Sequence, residues 1–188
     1  MIYFTSDLHL GDENIIEYCK RPFSSVEEMD EELIYNWNKR VKPEDTVYIV
    51  GGLIGNKQKT MEYLEALAGI KFLIPSDEDM EWLKQPGARE HFALVVRYYK
   101  AELLGYPMTL CHYPMLEFDS RNIEDKKPGY MIHGHVPNQY RELYHALYRR
   151  GNILNAAVDT NDYVPVTFEE LKENNRIHKR KMLYLKGR

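Results

Sequence analysis

Asp7 and His9 stand two residues apart at the end of a short apolar run, Ile2–Thr5. On an extended strand, residues i and i+2 point to the same side. The pair is therefore expected to reach one point in space where the strand stops. A carboxylate and a neutral imidazole converging there make half of a divalent-metal site. The carboxyl ends of strands in open α/β sheets are also where ligands bind. Other polar residues that a packed core does not explain are Gly51-Gly52, Ser76-Asp77-Glu78-Asp79, Cys111-His112-Tyr113-Pro114 and His133-Gly134-His135.

Each of these has a blander reading when taken alone. Asp77, Glu78 and Asp79 suit a solvated acidic turn before a helix at Met80, because acids favour helix N-termini. Gly51-Gly52 lacks the following helix fingerprint of a phosphate-cradling loop. Ser6 has no His/Asp order that would make a triad. His133 is expected to support structure rather than to ligate, and His91, His145 and His178 to lie on the surface.

The elements that would position these residues follow from periodicity. Ile2–Thr5 reads as a short apolar strand buried on both faces, Thr46–Val50 as a β-branched strand and Ile70–Ile74 as a third, stopped by Pro75. Helical patterns lie between them: Glu13–Cys19, a stretch opened by the Ser25/Glu28 capping box, and one from Met61 to Ala68 that stops at Gly69. Alternating strands and helices imply right-handed crossovers and a largely parallel first sheet. The pattern then changes. Ala93–Leu104 and Tyr106–Cys111 read as a hairpin about Gly105, and Tyr130–Ile132 and Ile153–Val158 as further strands. Tyr140, Leu143, Tyr144, Leu147 and Tyr148 recur at helical spacing as a packing stripe. Thr167 and Glu170 open a last helix.

Bulk properties bound the function. The chain has 188 residues, 44% of them hydrophobic and 29% charged. A domain of that size buries about 70% of its unfolded surface. A net charge of −4 disfavours nucleic acid as a partner. Cys19 and Cys111 form no CxxC pair, which suits a reducing compartment. No stretch has the length of a membrane span, and the first residues lack the pattern of a signal peptide. A cytoplasmic protein is expected.

Taken in order, the polar set resembles the signature of the calcineurin-like metallophosphoesterase superfamily: D-x-H, G-D, G-N-H-D/E, H and G-H-x-H. The similarity to small bacterial and phage members extends to Arg21-Pro22-Phe23, Met29, Asn36-Trp37-Asn38, Asp45-Thr46-Val47-Tyr48, and from Val158-Asp159 to Pro165-Val166. The resemblance implies an α/β fold, a two-sheet β-sandwich flanked by helices in four αββα layers, as one domain over residues 1–188. It also implies hydrolysis of phosphate esters by two metal ions that share a bridging carboxylate.

Carried over residue by residue, it makes Asp7, His9, His112 and His135 metal ligands, with Asp77 in the asparagine's place as an oxygen ligand. The sequence departs from the pattern elsewhere. Gly52 stands where the bridging acid belongs, and Glu78 where a histidine handles the leaving group. Pro137 replaces the last metal histidine, and Asp12 sits where close relatives often carry histidine. Without an acid at position 52, nothing offsets the repulsion between two dications. The expected cofactor is therefore at most one divalent ion (Mn, Fe, Zn or Ni), on Asp77, His112 and His135. Glu78 would repel a phosphate dianion, and losing a general acid costs about 10²–10⁴ in rate. The sequence thus predicts a degenerate centre with weak or absent hydrolysis, a phosphate-ester or nucleotide ligand, and a binding or scaffold role that would involve a protein partner. The alternative is an active one-metal phosphoesterase on the same three ligands. Fold alone names no substrate.

Overall fold

The structure is a computed structural model and describes residues 1–118, 128–136, 147 and 150–184, with side chains to residue 181. Pro137, His145 and nearly all of the 140–148 stripe lie outside the described residues. Four parallel strands, β1 (Ile2–Thr5), β2 (Thr46–Ile49), β3 (Ile70–Leu73) and β4 (Leu94–Val95), form the first sheet in that order. The second sheet is β5 (Tyr99–Leu103), β6 (Tyr106–Leu110), β7 (Tyr130–His133) and β8 (Ile153–Asn155). There β5 and β6 are antiparallel, and the other two pairings are parallel. The described helices are α1 (Asn14–Cys19), α2 (Val26–Arg40), α3 (Thr60–Ala66), α4 (Asp79–Trp82) and α5 (Phe168–Tyr184), with short 3₁₀ turns between elements.

The apolar runs of β1 and β2 are explained by burial on both faces, while β3 has Ile70 exposed and the amine of Lys71 bonded to Leu67 O at 2.6 Å. Alternate residues point to opposite sides. Tyr3, Val47, Ile49 and Leu73 meet Leu33, Trp37, Leu64 and Trp82 of the helices. Phe4, Tyr48, Val50 and Ile74 instead join Met108, Leu110, Ile132 and Leu154 of the second sheet in a shared core. Isolated bridges Phe4–Val166 and Ser6–Ala157 tie the end of β1 to the chain that follows β8. The expected capping at Ser25 is present, with the Glu28 amide donating to Ser25 Oγ at 3.2 Å.

Two expectations are corrected. Ala93–Leu104 is not one strand: Leu94–Val95 adds to the parallel sheet beside Phe72 and Leu73, and only Tyr99–Leu103 pairs with β6. The apolar run Leu94-Val95-Val96 is used up by the first sheet before the chain crosses to the second. Likewise, Ile153–Val158 is a strand only to Asn155. There the Asn155 side chain accepts from the Ala157 amide at 2.9 Å and donates to Val136 O at 2.6 Å, which turns the backbone out of the ladder.

Candidate functional site

Asp7 and His9 border one pocket, but not through the extended backbone expected of them. The first strand ends at Thr5, and both residues adopt left-handed conformations, with φ of 57° and 52°. Each such residue costs roughly 1–2 kcal/mol because its Cβ crowds a carbonyl oxygen. Two sets of bonds hold them there. The amides of Asp7, His9 and Leu10 donate to Gly51 O, Gly52 O and Leu53 O at 2.8–3.0 Å. From the other side Arg21 donates to Asp7 O at 2.6 Å and Leu8 O at 2.8 Å. Its Nε and Nη2 also reach the two carboxylate oxygens of Asp159, at 3.0 and 2.8 Å. Both side chains of this ion pair are fully buried. Burial pushes the Asp159 carboxyl up against the pull of Arg21.

The Asp7 carboxylate is itself almost wholly enclosed. Ser6 Oγ donates to it at 2.6 Å, and the His135 amide reaches both of its oxygens at 3.0–3.1 Å. Gly134 is required here, because a Cβ on it would lie 2.6 Å from Asp7 Oδ2 and 2.7 Å from Val50 O. Burial alone would raise the Asp7 pKa. The adjacent His9 and His112 imidazoles outweigh that and hold the carboxyl below its usual value. His9 lies between two acids, with Nε2 3.7 Å from Asp7 Oδ1 and Nδ1 3.7 Å from Asp12 Oδ2. Burial opposes its protonation, but Asp7 raises its pKa above the ordinary value.

His112 and His135 complete the polar floor. His112 Nδ1 sits 2.8 Å from Val50 O, an acceptor only, so the proton belongs on Nδ1 and Nε2 is left as a lone-pair donor. That arrangement is the usual support of a metal-bound imidazole. The ring comes so close to the chain that a Cβ on Gly51 would lie 2.3 Å from Nδ1. His135 is left-handed as well (φ 67°), with its ring centroid 5.2 Å from that of His112. His133 is buried, its Nδ1 2.8 Å from Gly134 O, and burial pushes its pKa down to about 4. His91 and His178 are half-buried rather than on the surface.

The acidic run divides sharply. Asp77 and Glu78 are exposed at the pocket. Asp77 is engaged by Arg97 Nη1 at 2.6 Å and by the Tyr113 hydroxyl at 3.0 Å, and these bonds hold its pKa low. Asp79 is not a solvated acid at all, since it is completely buried. It accepts from the amides of Gly52, Leu53 and Ser76, from Ser76 Oγ and from Trp82 Nε1, at 2.8–3.0 Å. It thereby fixes the glycine loop to the acidic loop. The Ser76-x-x-Asp79 spacing is a capping-box pattern, and that was the available signal. Arg21 and Asp159, 138 positions apart, carry no local signal of their joint role.

Asp7, His9, Asp77, Glu78, His112 and His135 all border a pocket of about 290 Å³. The last position of the expected set, Pro137, is outside the described residues. A side chain at position 52 does not fit the loop as it stands. Gly52 has φ 67°, and a Cβ on it would lie 2.9 Å from Asp7 Cα, 3.0 Å from Asp7 Oδ1 and 3.2 Å from His9 Nε2. A Cβ at the position of the expected bridging acid thus meets the Asp7 backbone and the Asp7 and His9 side chains. Among the described residues no three His, Cys, Asp or Glu side chains already stand close enough to hold an ion. For a single ion the donor chemistry suits, with His112 Nε2 bare and His135, Asp7 and Asp77 on the same pocket.

No known family model matches the sequence. The uncharacterized protein MJ1445 of Methanocaldococcus jannaschii is 35% identical over 175 residues, covering 89% of this chain and 87% of that protein. The crystal structure of AQ665, a protein of unknown function from Aquifex aeolicus, superposes with a TM-score of 0.68 at 31% identity over 92% of this chain and 98% of that one. YfcE, a phosphoesterase from E. coli, aligns over 83% of this chain and 77% of its own with a TM-score of 0.37 and 17% identity, too slight a likeness to carry an argument. By the extent and identity of the first match, the chain belongs to the family of MJ1445.

Proposed function

We propose that this is a calcineurin-like metallophosphoesterase-fold protein, a four-layer αββα sandwich, whose dinuclear centre has been reduced to a site for at most one divalent ion. It binds phosphate esters and hydrolyses them weakly or not at all. The reading is supported by the ordered motif set and by the single pocket that its described members share. The observation that carries it is Gly52, whose surroundings leave no room for the acid that would join two ions. His112, His135, Asp7 and Asp77 are the residues that would hold one ion, and such an ion supplies charge stabilisation at a phosphoryl oxygen.

The chain's own residues account for the weakness of hydrolysis. Glu78 offers a carboxylate where a proton donor is needed and repels a dianion. Asp77 shares its carboxylate with Arg97 and Tyr113, which weakens it as an ion ligand. Arg21 and Asp159 position Asp7 without touching the pocket floor. The competing reading is an active hydrolase using one ion on Asp77, His112 and His135. It shares Asp77 with the first reading, and differs in requiring turnover that depends on that ion.

Elemental analysis of the purified protein equilibrated with Mn²⁺ is expected to give no more than one ion per chain. Aryl phosphate turnover should stay near the metal-free control. Two ions per chain would overturn the proposal. One ion with brisk, Mn²⁺-dependent turnover would establish the alternative.

A further inference from the structure

We infer that the pocket selects phosphate esters bearing a flat aromatic group, with the Tyr18 ring as its stacking surface. This inference rests on the phosphate-ester reading above. Helix α1 is only six residues long, and it spends Ile15 and Cys19 on the core, with Ile16 packed partly against it. Tyr18 stays 50% exposed. Scattered exposed aromatics are ordinary, but Tyr18 borders the same pocket as Asp7, His112 and His135. Tyr113 borders the same pocket with 38% exposure. Its orientation is fixed, since its hydroxyl donates to Asp77 at 3.0 Å and its ring lies 4.7 Å from that of His135.

A polar floor beneath apolar and aromatic walls is the common plan of small-ligand sites. It divides the ligand into a charged end and a flat end. The volume agrees. About 290 Å³ lies at the lower edge of the range for such sites, the scale of an aryl phosphate or a mononucleotide. Stacking of a base on an aromatic side chain is lost on alanine substitution at a cost equal to about 5- to 150-fold in affinity.

The test is calorimetric titration, with Mn²⁺ present, of glycerol phosphate, phenyl phosphate and adenosine 5′-monophosphate into the wild type, Tyr18→Ala and Tyr18→Phe. The readout is the ratio of glycerol phosphate Kd to aromatic ester Kd. We expect a ratio of about five or more in the wild type and in Tyr18→Phe, falling towards one in Tyr18→Ala. A gain shared by both aromatic esters identifies any aryl group as the feature read, and a gain confined to the nucleotide identifies the nucleobase. Glycerol phosphate binding with no aromatic gain, or a gain that survives in Tyr18→Ala, overturns this inference alone. If none of the three esters binds the wild type, the phosphate-ester reading falls and takes the inference with it.

Discussion

Restoring an acid at position 52 is the sharpest probe of the reduced centre, and its cost can be built from the surroundings of Gly52. The residue lies at φ 67°, so any side chain incurs about 1–2 kcal/mol of backbone crowding. The new Cβ meets backbone at Asp7 Cα, 2.9 Å away, and that backbone cannot yield cheaply because Arg21 and the Gly51–Leu53 bonds hold it. Overpacking of this kind costs typically about 1–3 kcal/mol. Gly52→Ala should therefore lose about 2–5 kcal/mol. Gly52→Asp adds a second carboxylate beside the buried Asp7. Two like charges about 4 Å apart at an effective dielectric constant of about 20 repel by roughly 4 kcal/mol, part of which His9 offsets. The aspartate variant should then be about 2–4 kcal/mol less stable than the alanine variant in chelator.

Urea unfolding of the wild type and both variants, with EDTA and with Mn²⁺, measures these differences through the midpoint at constant slope. An ion at 100 times its dissociation constant returns about 2.7 kcal/mol to any protein that binds it only when folded. Because the one-ion site on His112, His135, Asp7 and Asp77 does not use residue 52, Mn²⁺ should raise the midpoint of Gly52→Ala as it raises that of the wild type. A Gly52→Asp protein as stable as the wild type in EDTA would refute the reasoning. It would mean that the loop has room for the bridging acid, and that the missing carboxylate is a change of residue rather than a closed site.

Other perturbations separate the remaining parts of the structure. Asp79→Ala strands five buried donors, each worth about 1–3 kcal/mol when unsatisfied, and should cost more than about 4 kcal/mol or abolish folding. Glu78→Ala, one residue away and exposed, should stay within about 0.5 kcal/mol, and similar urea midpoints for the two would contradict this account. Arg21→Met leaves the Asp159 charge buried without its partner and should cost about 3–5 kcal/mol, whereas adding Asp159→Asn should recover part of the loss. Lys179 donates to Arg150 O and Ile153 O, and burial lowers its pKa from 10.5 to about 8. The unfolded chain thus binds the extra proton between those values, so stability should rise as pH goes from about 8 towards 10, where raised tyrosines such as Tyr48 and Tyr163 (about 12) begin to oppose it. A Lys179→Met protein should lack the rise, and an identical pH profile would exclude Lys179 as its source.

The parts of the fold that were legible in the sequence are those set by one element's own chemistry. The strands β1–β3 announced themselves through short apolar and β-branched runs, although β3 carries Lys71, and Ser25 and Glu28 marked the start of α2 because a cap is a local bond. The split of Ala93–Leu104 between two sheets was not legible, since Leu94-Val95-Val96 and Tyr99–Leu103 both favour strand and only the third dimension assigns them to different partners. In the site, residue types and order sufficed to gather Asp7, His9, Asp77, His112 and His135. They could not supply the reason why Asp7 and His9 converge, nor the burial of Asp79 beside an exposed Glu78.

That reason bears on function as well as folding. Asp7, His9 and His135 are three non-glycine residues in left-handed backbone, and all three border the pocket. Local propensity opposes each by roughly 1–2 kcal/mol. The arrangement persists only because the buried Arg21–Asp159 pair, the Gly51–Leu53 amide bonds and the close approach of Gly134 over-determine it. A core needs none of this, because Leu8 alone of the segment Asp7–His9 is a core residue. Three of the seven left-handed non-glycine residues among those described thus face one cavity, beside a buried ion pair 138 residues apart in sequence, whereas Lys20, Leu104, Asp162 and Tyr163 do not border it. Relaxing Asp7 and His9 into extended backbone would leave the buried Arg21 two carbonyl oxygens short, so the ion pair and the strained segment stand or fall together.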